Sequence, residues 1–224
     1  MTMLKLEKVS KEYIMGEVTI QALKEVSLTV AKGDFISIMG PSGSGKSTLL
    51  HIMGALDTPT SGHVYLEDRD LSTLREFELT RIRRYQIGFV FQAFNVIPQL
   101  TALENVMLPL HPHKLPQSEK SRRAEDLLEK VNLTERMHHL PRQMSGGEIQ
   151  RVAVARALVN EPTVILADEP TGELDSKTSQ QLIELMKKMR KETETAFVIV
   201  THDYTLGKTA DKRYTLTDGT LKEG

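Results

Sequence analysis

The residues best equipped for chemistry lie at 40–48. Gly40-Pro41-Ser42-Gly43-Ser44-Gly45-Lys46-Ser47 has the spacing G-x-x-x-x-G-K-[ST] of a phosphate-binding loop. Glycines let the backbone fold tightly, so successive N–H groups can converge on phosphate oxygens. A helix starting there adds its positive dipole end. Lys46 supplies a mobile point charge, and Ser47 a hydroxyl oxygen for Mg²⁺, a hard cation. A second candidate is Asp168-Glu169, which ends the apolar run Thr163–Ala167. This pair reads either as a strand leaving the core into a polar turn or, beside a phosphate loop, as working carboxylates. In the second reading Asp168 holds Mg²⁺ and Glu169 orients the attacking water, since phosphoryl transfer needs mainly positioning and charge stabilisation. A third is Met144-Ser145-Gly146-Gly147-Glu148. If a helix starts here, Ser145 is either a plain N-cap or, with the glycines, part of a second anion site.

These groups must be positioned by strands and helices. Leu4, Leu6 and Val26, Leu28, Val30 alternate as half-buried strands do. Phe35–Met39, Ile87–Phe91, Thr163–Ala167 and Ala196–Thr201 are short buried-strand runs, and Leu49, Leu50, Met53 follow the loop at helical spacing. Ala124, Leu127, Leu128, Val131 and Leu182, Ile183, Met186, Met189 mark amphipathic helices, the second capped by Asp175 or Ser176. Val152–Ala155 is partly strand-like, which blurs the helix after Ser145. Tyr214 to Leu221, turning at Asp218-Gly219, reads as a closing hairpin. The expected fold is α/β. Strand-bearing parts over roughly 1–92 and 161–224 flank a helical insert over roughly 93–160.

With 224 residues and no cysteine, the chain is large enough for a full core without staples; disulfides, Cys-ligated metals and thiol nucleophiles are excluded. Lys+Arg 29 against Asp+Glu 30 leaves a net charge of −1, so no global basic field points to nucleic acid. No apolar run approaches the length of a membrane span, and the first residues lack a secretory signal pattern. A soluble, cytoplasmic chain is expected, held at a membrane only through a partner.

The order of these motifs resembles the ATP-binding-cassette (ABC) ATPases, with a P-loop, Ser-Gly-Gly, and an apolar strand ending in Asp-Glu. Gln92, Leu174-Asp175, His202 and Tyr13 fall where that family has its Q-loop glutamine, D-loop, switch histidine and adenine-stacking aromatic. The resemblance covers essentially the whole chain and implies a P-loop NTPase nucleotide-binding core with a mainly parallel sheet and an antiparallel β subdomain over roughly 1–92 and 161–224, an inserted α-helical subdomain over roughly 93–160, and ATP and Mg²⁺ as ligands. It implies that Lys46 and the backbone of Ser42–Thr48 cradle the phosphates, that Gly40, Pro41, Gly43, Ser44 and Gly45 shape that cradle, and that Ser47, Gln92 and Asp168 serve Mg²⁺. Glu169, His202 and Gln92 would be the catalytic set. Ser145, Gly146, Gly147 and Glu148, with Asp175, would reach ATP held by a second copy, so a head-to-tail homodimer on ATP binding is implied.

The pattern L-S-G-G-Q reads Met144-Ser-Gly-Gly-Glu148 here. The extra charge near phosphate is unfavourable unless Glu148 points away or pairs with a base such as Arg151. Glu173 stands where the family usually has a small residue, which implies an effect on the dimer contact. Tyr13 alone reads equally as an edge-strand packing residue. Gln92–Val106 is either a loop packing its own apolar residues or a groove for a helix of an integral membrane permease; exposed Phe94, Val96 or Ile97 would favour the groove. His111, His113, His138 and His139 read as loop histidines rather than metal ligands, and Arg81, Arg83 and Arg84 as a solvated face.

Tyr13–Gly16, Ile82–Asn95 and Leu100–Val106 resemble the lipoprotein-release, macrolide-export and cell-division group most. An ATPase driving such a membrane machine is the leading expectation. An ATP-switched regulator of an envelope or cell-division partner, without transport, is the alternative.

Overall fold

The structure, a computed structural model, describes residues 1–16 and 18–224. The two alternating segments near the N-terminus form a long antiparallel hairpin of β1 (Thr2–Met15) and β2 (Val18–Ala31), in which Leu4 faces Val30, Leu6 faces Leu28 and Val9 faces Val26. All six side chains are buried, so period-two alternation has become one apolar face. After β3 (Phe35–Met39) and α1 (Lys46–Met53), β4 (Ser61–Leu66) pairs antiparallel with β1, and the short β5 (Arg69–Asp70) ends this sheet. Its order is β2-β1-β4-β5.

The second sheet begins at β3. Helix α2 (Glu76–Tyr85) leads into β6 (Ile87–Phe91), and β6 into α3 (Ala102–Met107), α4 (Gln117–Lys130) and α5 (Gly146–Leu158). Then follow β7 (Val164–Asp168), α6 (Ser176–Thr193), β8 (Ala196–Thr201), α7 (Tyr204–Gly207) and the hairpin of β9 (Lys212–Thr217) and β10 (Thr220–Glu223). The order is β10-β9-β3-β8-β7-β6, parallel from β9 to β6 and antiparallel at β10. Every residue of β3 and β8 is buried, as expected of a parallel sheet covered on both faces. Among the described residues, every element between β6 and β7 is helical.

The segment Val152–Ala155, partly strand-like as sequence, is helix α5. Gln150, Val152, Ala153, Val154, Ala155, Ala157 and Leu158 are all buried. A helix enclosed on nearly every side needs no polar stripe and so shows no 3.6-residue rhythm. Gln150 is wholly buried because its amide donates to the carbonyls of Phe91 (3.1 Å) and Pro170 (2.7 Å), tying α5 to the ends of β6 and β7.

Because β3, β8, β7 and β6 run parallel, their C-terminal ends share one edge. The phosphate loop follows β3, Asp168 ends β7, His202 follows β8 and Gln92 follows β6. That edge is where open α/β sheets place their ligands.

Candidate functional site

The loop after β3 is shaped by close backbone approaches. Gly45 has φ +101°, and a Cβ there would sit 2.4 Å from the Ala22 carbonyl oxygen; at Gly40 it would sit 2.2 Å from that of Leu216. Only glycine fits either position. Helix α1 opens from Gly45 with no side-chain cap and no acid in its first turn. Its first backbone N–H groups are thus left to a ligand. Lys46 is buried, and its ammonium donates to the carbonyl oxygens of Gly40 and Pro41, both at 2.9 Å. The Ser44 hydroxyl is buried without a hydrogen-bond partner. A buried cation bonded only to neutral carbonyls, beside an open helix start and an orphan hydroxyl, forms a cradle fit for an anion.

The acids stand next to this cradle. Burial raises the Asp168 carboxyl above its ordinary range and the Glu169 charge adds to that, while the Ser47 hydroxyl, His51 and Lys46 oppose it. Glu169 is in the left-handed region at φ +46°, a conformation that costs a non-glycine residue about 1–3 kcal/mol and that clusters at functional sites. Its backbone N–H donates to the Val200 carbonyl (2.9 Å), which carries the chain from β7 toward the end of β8. There Glu169 Oε1 lies 2.9 Å from His202 Nδ1, and Oε2 accepts the His202 backbone N–H at 3.3 Å. The Glu169 side chain is 15% exposed and that of His202 66%, so the histidine is the solvent-facing member of the pair.

Gln92 is exposed and donates to Glu173 Oε1 at 3.1 Å. Its amide is therefore turned toward the loop after β7, and Glu173 is an intrachain partner of Gln92 here. Phe94, Val96 and Ile97 are half-buried rather than exposed, with Val96 against the helical core. The loop around them is held by Arg156, which donates to the carbonyls of Phe94 and Asn95, and by Asn105, which bonds Ile97, Leu100 and Thr101.

Ser145 caps α5 in a reciprocal capping box. Its hydroxyl accepts the Glu148 N–H at 3.3 Å, while Glu148 Oε2 accepts the Ser145 N–H at 2.8 Å and its O–H at 3.0 Å. Glu148 Oε1 accepts from Arg136 Nε at 3.1 Å, so the balancing base is Arg136 and not Arg151. The Ser145 N–H holds the Glu148 carboxyl below its ordinary range, with burial opposing and Arg136 assisting. Gly147 allows α5 to approach α6, since a Cβ there would meet Thr178 Cγ2 at 2.4 Å. Asp175 caps α6, accepting from the N–H groups of Lys177 and Thr178 and from the Thr178 hydroxyl.

Tyr13 lines a cavity of about 660 Å³ together with loop residues 43 and 45–48. Ile20, Gln21, Lys24, Asp218 and Gly219 line it too, and sequence reading missed them as site residues. The Asp218-Gly219 turn was legible, but only the pairing of β9 with β3 carries it to the loop, where the Gly219 N–H donates to the Ser44 carbonyl (3.2 Å). None of residues 145–148 lines this cavity; Glu148 borders a separate one of about 890 Å³. Among the described residues no cluster of His, Asp and Glu has metal-binding geometry. His113 packs edge-on against Tyr85 and His139 lies beside Arg136. Arg83 is half-buried and donates to the Ala55 carbonyl at 2.7 Å, so the arginine cluster is only partly a solvated face.

The sequence profile described as "ABC transporter" matches residues 23–172. The chain belongs to the ABC transporter family. It is 51% identical over 224 residues to an uncharacterised ABC transporter ATP-binding protein, MJ0796, of Methanocaldococcus jannaschii, covering 98% of this chain and 95% of that one. It is 47% identical to the lipoprotein-releasing system ATP-binding protein LolD of Shewanella frigidimarina, covering 98% and 92%. It is also 44% identical to the macrolide export ATP-binding/permease protein MacB of Bdellovibrio bacteriovorus, where the match covers 98% of this chain and 33% of that longer one. A dimeric, post-hydrolysis structure of the ATP-binding cassette MJ0796 bound to ADP and Pi matches with a TM-score of 0.89 at 49% identity, covering 99% of this chain and 98% of that one. This ABC protein is thus an ATP-binding and ATP-hydrolysing transporter subunit. Among its described residues, no helix is long and apolar enough to cross a membrane.

Proposed function

We propose that the chain is the ATPase subunit of an export or lipoprotein-release system. It works as a head-to-tail homodimer bound to the cytoplasmic face of a membrane through an integral permease. The reading rests on one observation: Ser145-Gly146-Gly147 opens α5 outside the cavity that holds the phosphate loop. One chain then carries two different cradles for one triphosphate, and two copies complete each other's sites. The sequence likeness to LolD and MacB supports the choice of system.

In this mechanism Lys46 leaves its carbonyl partners for the β- and γ-phosphates, which the N–H groups of Ser42–Thr48 also bind. The Tyr13 ring stacks on the base. Mg²⁺ suits the donor set of the Ser47 hydroxyl, the Asp168 carboxylate and the Gln92 amide oxygen, all hard oxygens, and it would neutralise charge on the phosphates. Asp168, costly to bury as an anion, gains a counter-charge there. Glu169 accepts a hydrogen bond from the attacking water and aligns it with the γ-phosphate, while His202 holds the Glu169 carboxylate and reaches the γ-phosphate from the solvent side. Across the interface Ser145 and the N–H groups of Gly146 and Gly147 donate to the same phosphate, and Asp175 borders the contact. Tight binding of ATP and weak binding of ADP by the closed dimer transmits work to the permease.

Glu169→Gln tests this. Size-exclusion chromatography with ATP and Mg²⁺ should show a stable dimer with turnover reduced at least ~100-fold, the scale of a lost general base. A variant that stays monomeric and hydrolyses normally sinks the assignment. Pull-down from membranes should bring a permease with the dimer.

A further inference from the structure

Tyr13 lies at the rim of the phosphate-loop cavity, and its ring is held by a group 44 residues away. Its hydroxyl donates to Asp57 Oδ2 at 2.8 Å. Asp57 Oδ1 accepts from Lys11 Nζ and from the Thr58 N–H, both at 2.7 Å. Lys11 Nζ also donates to the Thr58 carbonyl at 2.8 Å and stands over one face of the Tyr13 ring, 4.9 Å from its centroid. The ion pair is sheltered, with side-chain exposures of 12% for Lys11 and 28% for Asp57. Asp57 is anchored in turn to α1, since its N–H and that of Leu56 donate to the His51 carbonyl. The helix whose first turn faces the cavity thus also carries, past its last turn, the residue that fixes the tyrosine.

Each protonation state suits this arrangement. Burial, reinforced by Asp57, raises the Tyr13 phenol, so its proton stays available for donation. Burial pushes the Asp57 carboxyl up, but the bonds from Lys11, Tyr13 and Thr58 outweigh it and leave Asp57 a charged acceptor. One face of the ring is covered by a cation and the hydroxyl end is pinned.

We infer that Asp57, balanced by Lys11, is a positioning residue for nucleotide binding: it locks the Tyr13 ring so that the face away from Lys11 takes the nucleobase of ATP. This rests on the reading of Tyr13 as the base-stacking residue. The gain is preorganisation, because a ring already fixed loses less freedom when the base arrives.

The test is titration calorimetry of the full chain with ADP, paired with steady-state ATPase kinetics. Tyr13→Ala should weaken ADP binding by about tenfold or more, the scale of one base–aromatic stack. Asp57→Ala should weaken it about three- to tenfold, in keeping with the modest worth of one hydrogen bond, and the loss should appear in KM rather than kcat. Asp57→Asn, whose amide oxygen still accepts from Tyr13, should recover part of that loss. In a Tyr13→Phe background, which lacks the hydroxyl, Asp57→Ala should cost nothing further. An equal loss in both backgrounds would mean that Asp57 only holds its own loop, and would overturn the inference. So would an Asp57→Ala protein that binds normally while Tyr13→Ala does not, an outcome that leaves the base-stacking reading standing. Unimpaired binding by Tyr13→Ala would instead remove that reading, and the inference with it.

Discussion

Two helix starts in this molecule carry Ser/Gly-rich sequence, and they are finished in opposite ways. Helix α1 opens from a left-handed glycine with no side-chain cap and no acid in its first turn. Helix α5 opens from a serine locked to Glu148 in a capping box, with Arg136 balancing the charge. The first is a cradle left open for an anion. At the second a carboxylate already holds the Ser145 N–H and O–H, so in the proposed dimer phosphate would compete with Glu148 for Ser145. Binding at the first site alone, followed by engagement of the second only when a partner presents ATP, is the order this difference favours.

Lys46→Ala strikes the open end hardest. Truncating a buried, hydrogen-bonded charge costs about 2–5 kcal/mol, so ATP affinity measured by calorimetry should fall by roughly 30-fold or more. Ser145→Ala should leave that affinity unchanged while weakening ATP-dependent dimerisation of the Glu169→Gln protein about 10- to 150-fold, the worth of a hydrogen bond to a charged group. It should also cost about 1 kcal/mol in unfolding stability through the lost cap. Equal loss of monomer ATP binding in the two variants would erase the contrast between the helix starts.

Glu148→Gln sharpens the contrast. A glutamine preserves the capping box but removes a negative charge beside the phosphate, so sedimentation velocity should show dimerisation strengthened by about three- to tenfold, the effect of one relieved repulsion of roughly 1 kcal/mol. The smallest effect concerns stability. The Asp168 carboxyl is raised in the folded protein, so the fold binds its proton more tightly than the unfolded chain does. Its ionisation therefore destabilises the nucleotide-free fold at neutral pH, and this penalty vanishes as pH falls below the unfolded value near 4. Asp168→Asn should raise the melting temperature at pH 7, and the gain should shrink toward pH 4. Differential scanning calorimetry across that range checks the sign.

Local rules made much of this legible. Alternation at Leu4, Leu6 and Val26–Val30 became a hairpin with one buried face, and the solid apolar runs became the parallel strands. The loop 40–47 announced itself because its function is carried by its own backbone and one lysine. Ser145 reads as an N-cap from sequence, and spacing along the helix offers a base such as Arg151, three residues beyond Glu148. The actual partner, Arg136, precedes the helix, and nothing in local spacing selects it. Gln92 bonded to Glu173, and Tyr13 bonded to Asp57, are likewise pairs separated by 81 and 44 positions.

The sequence alone therefore determined most strands, the helices α1, α4 and α6, the phosphate loop and the acids at a strand end. Those depend on periodicity, on backbone freedom, and on the cost of ending a buried strand in charge, all properties of neighbours in the chain. Tertiary structure alone decided which distant groups hold the site. A parallel sheet brings the ends of β3, β6, β7 and β8 to one edge, and the β9 pairing adds the Asp218-Gly219 turn. The left-handed Glu169 and the enclosed α5 belong to that parallel sheet, and the Lys11–Asp57–Tyr13 clamp exists only where β1 meets the turn after α1. Long-range hydrogen bonds and enclosure are set by which surfaces meet, and residue spacing along a chain does not encode that meeting.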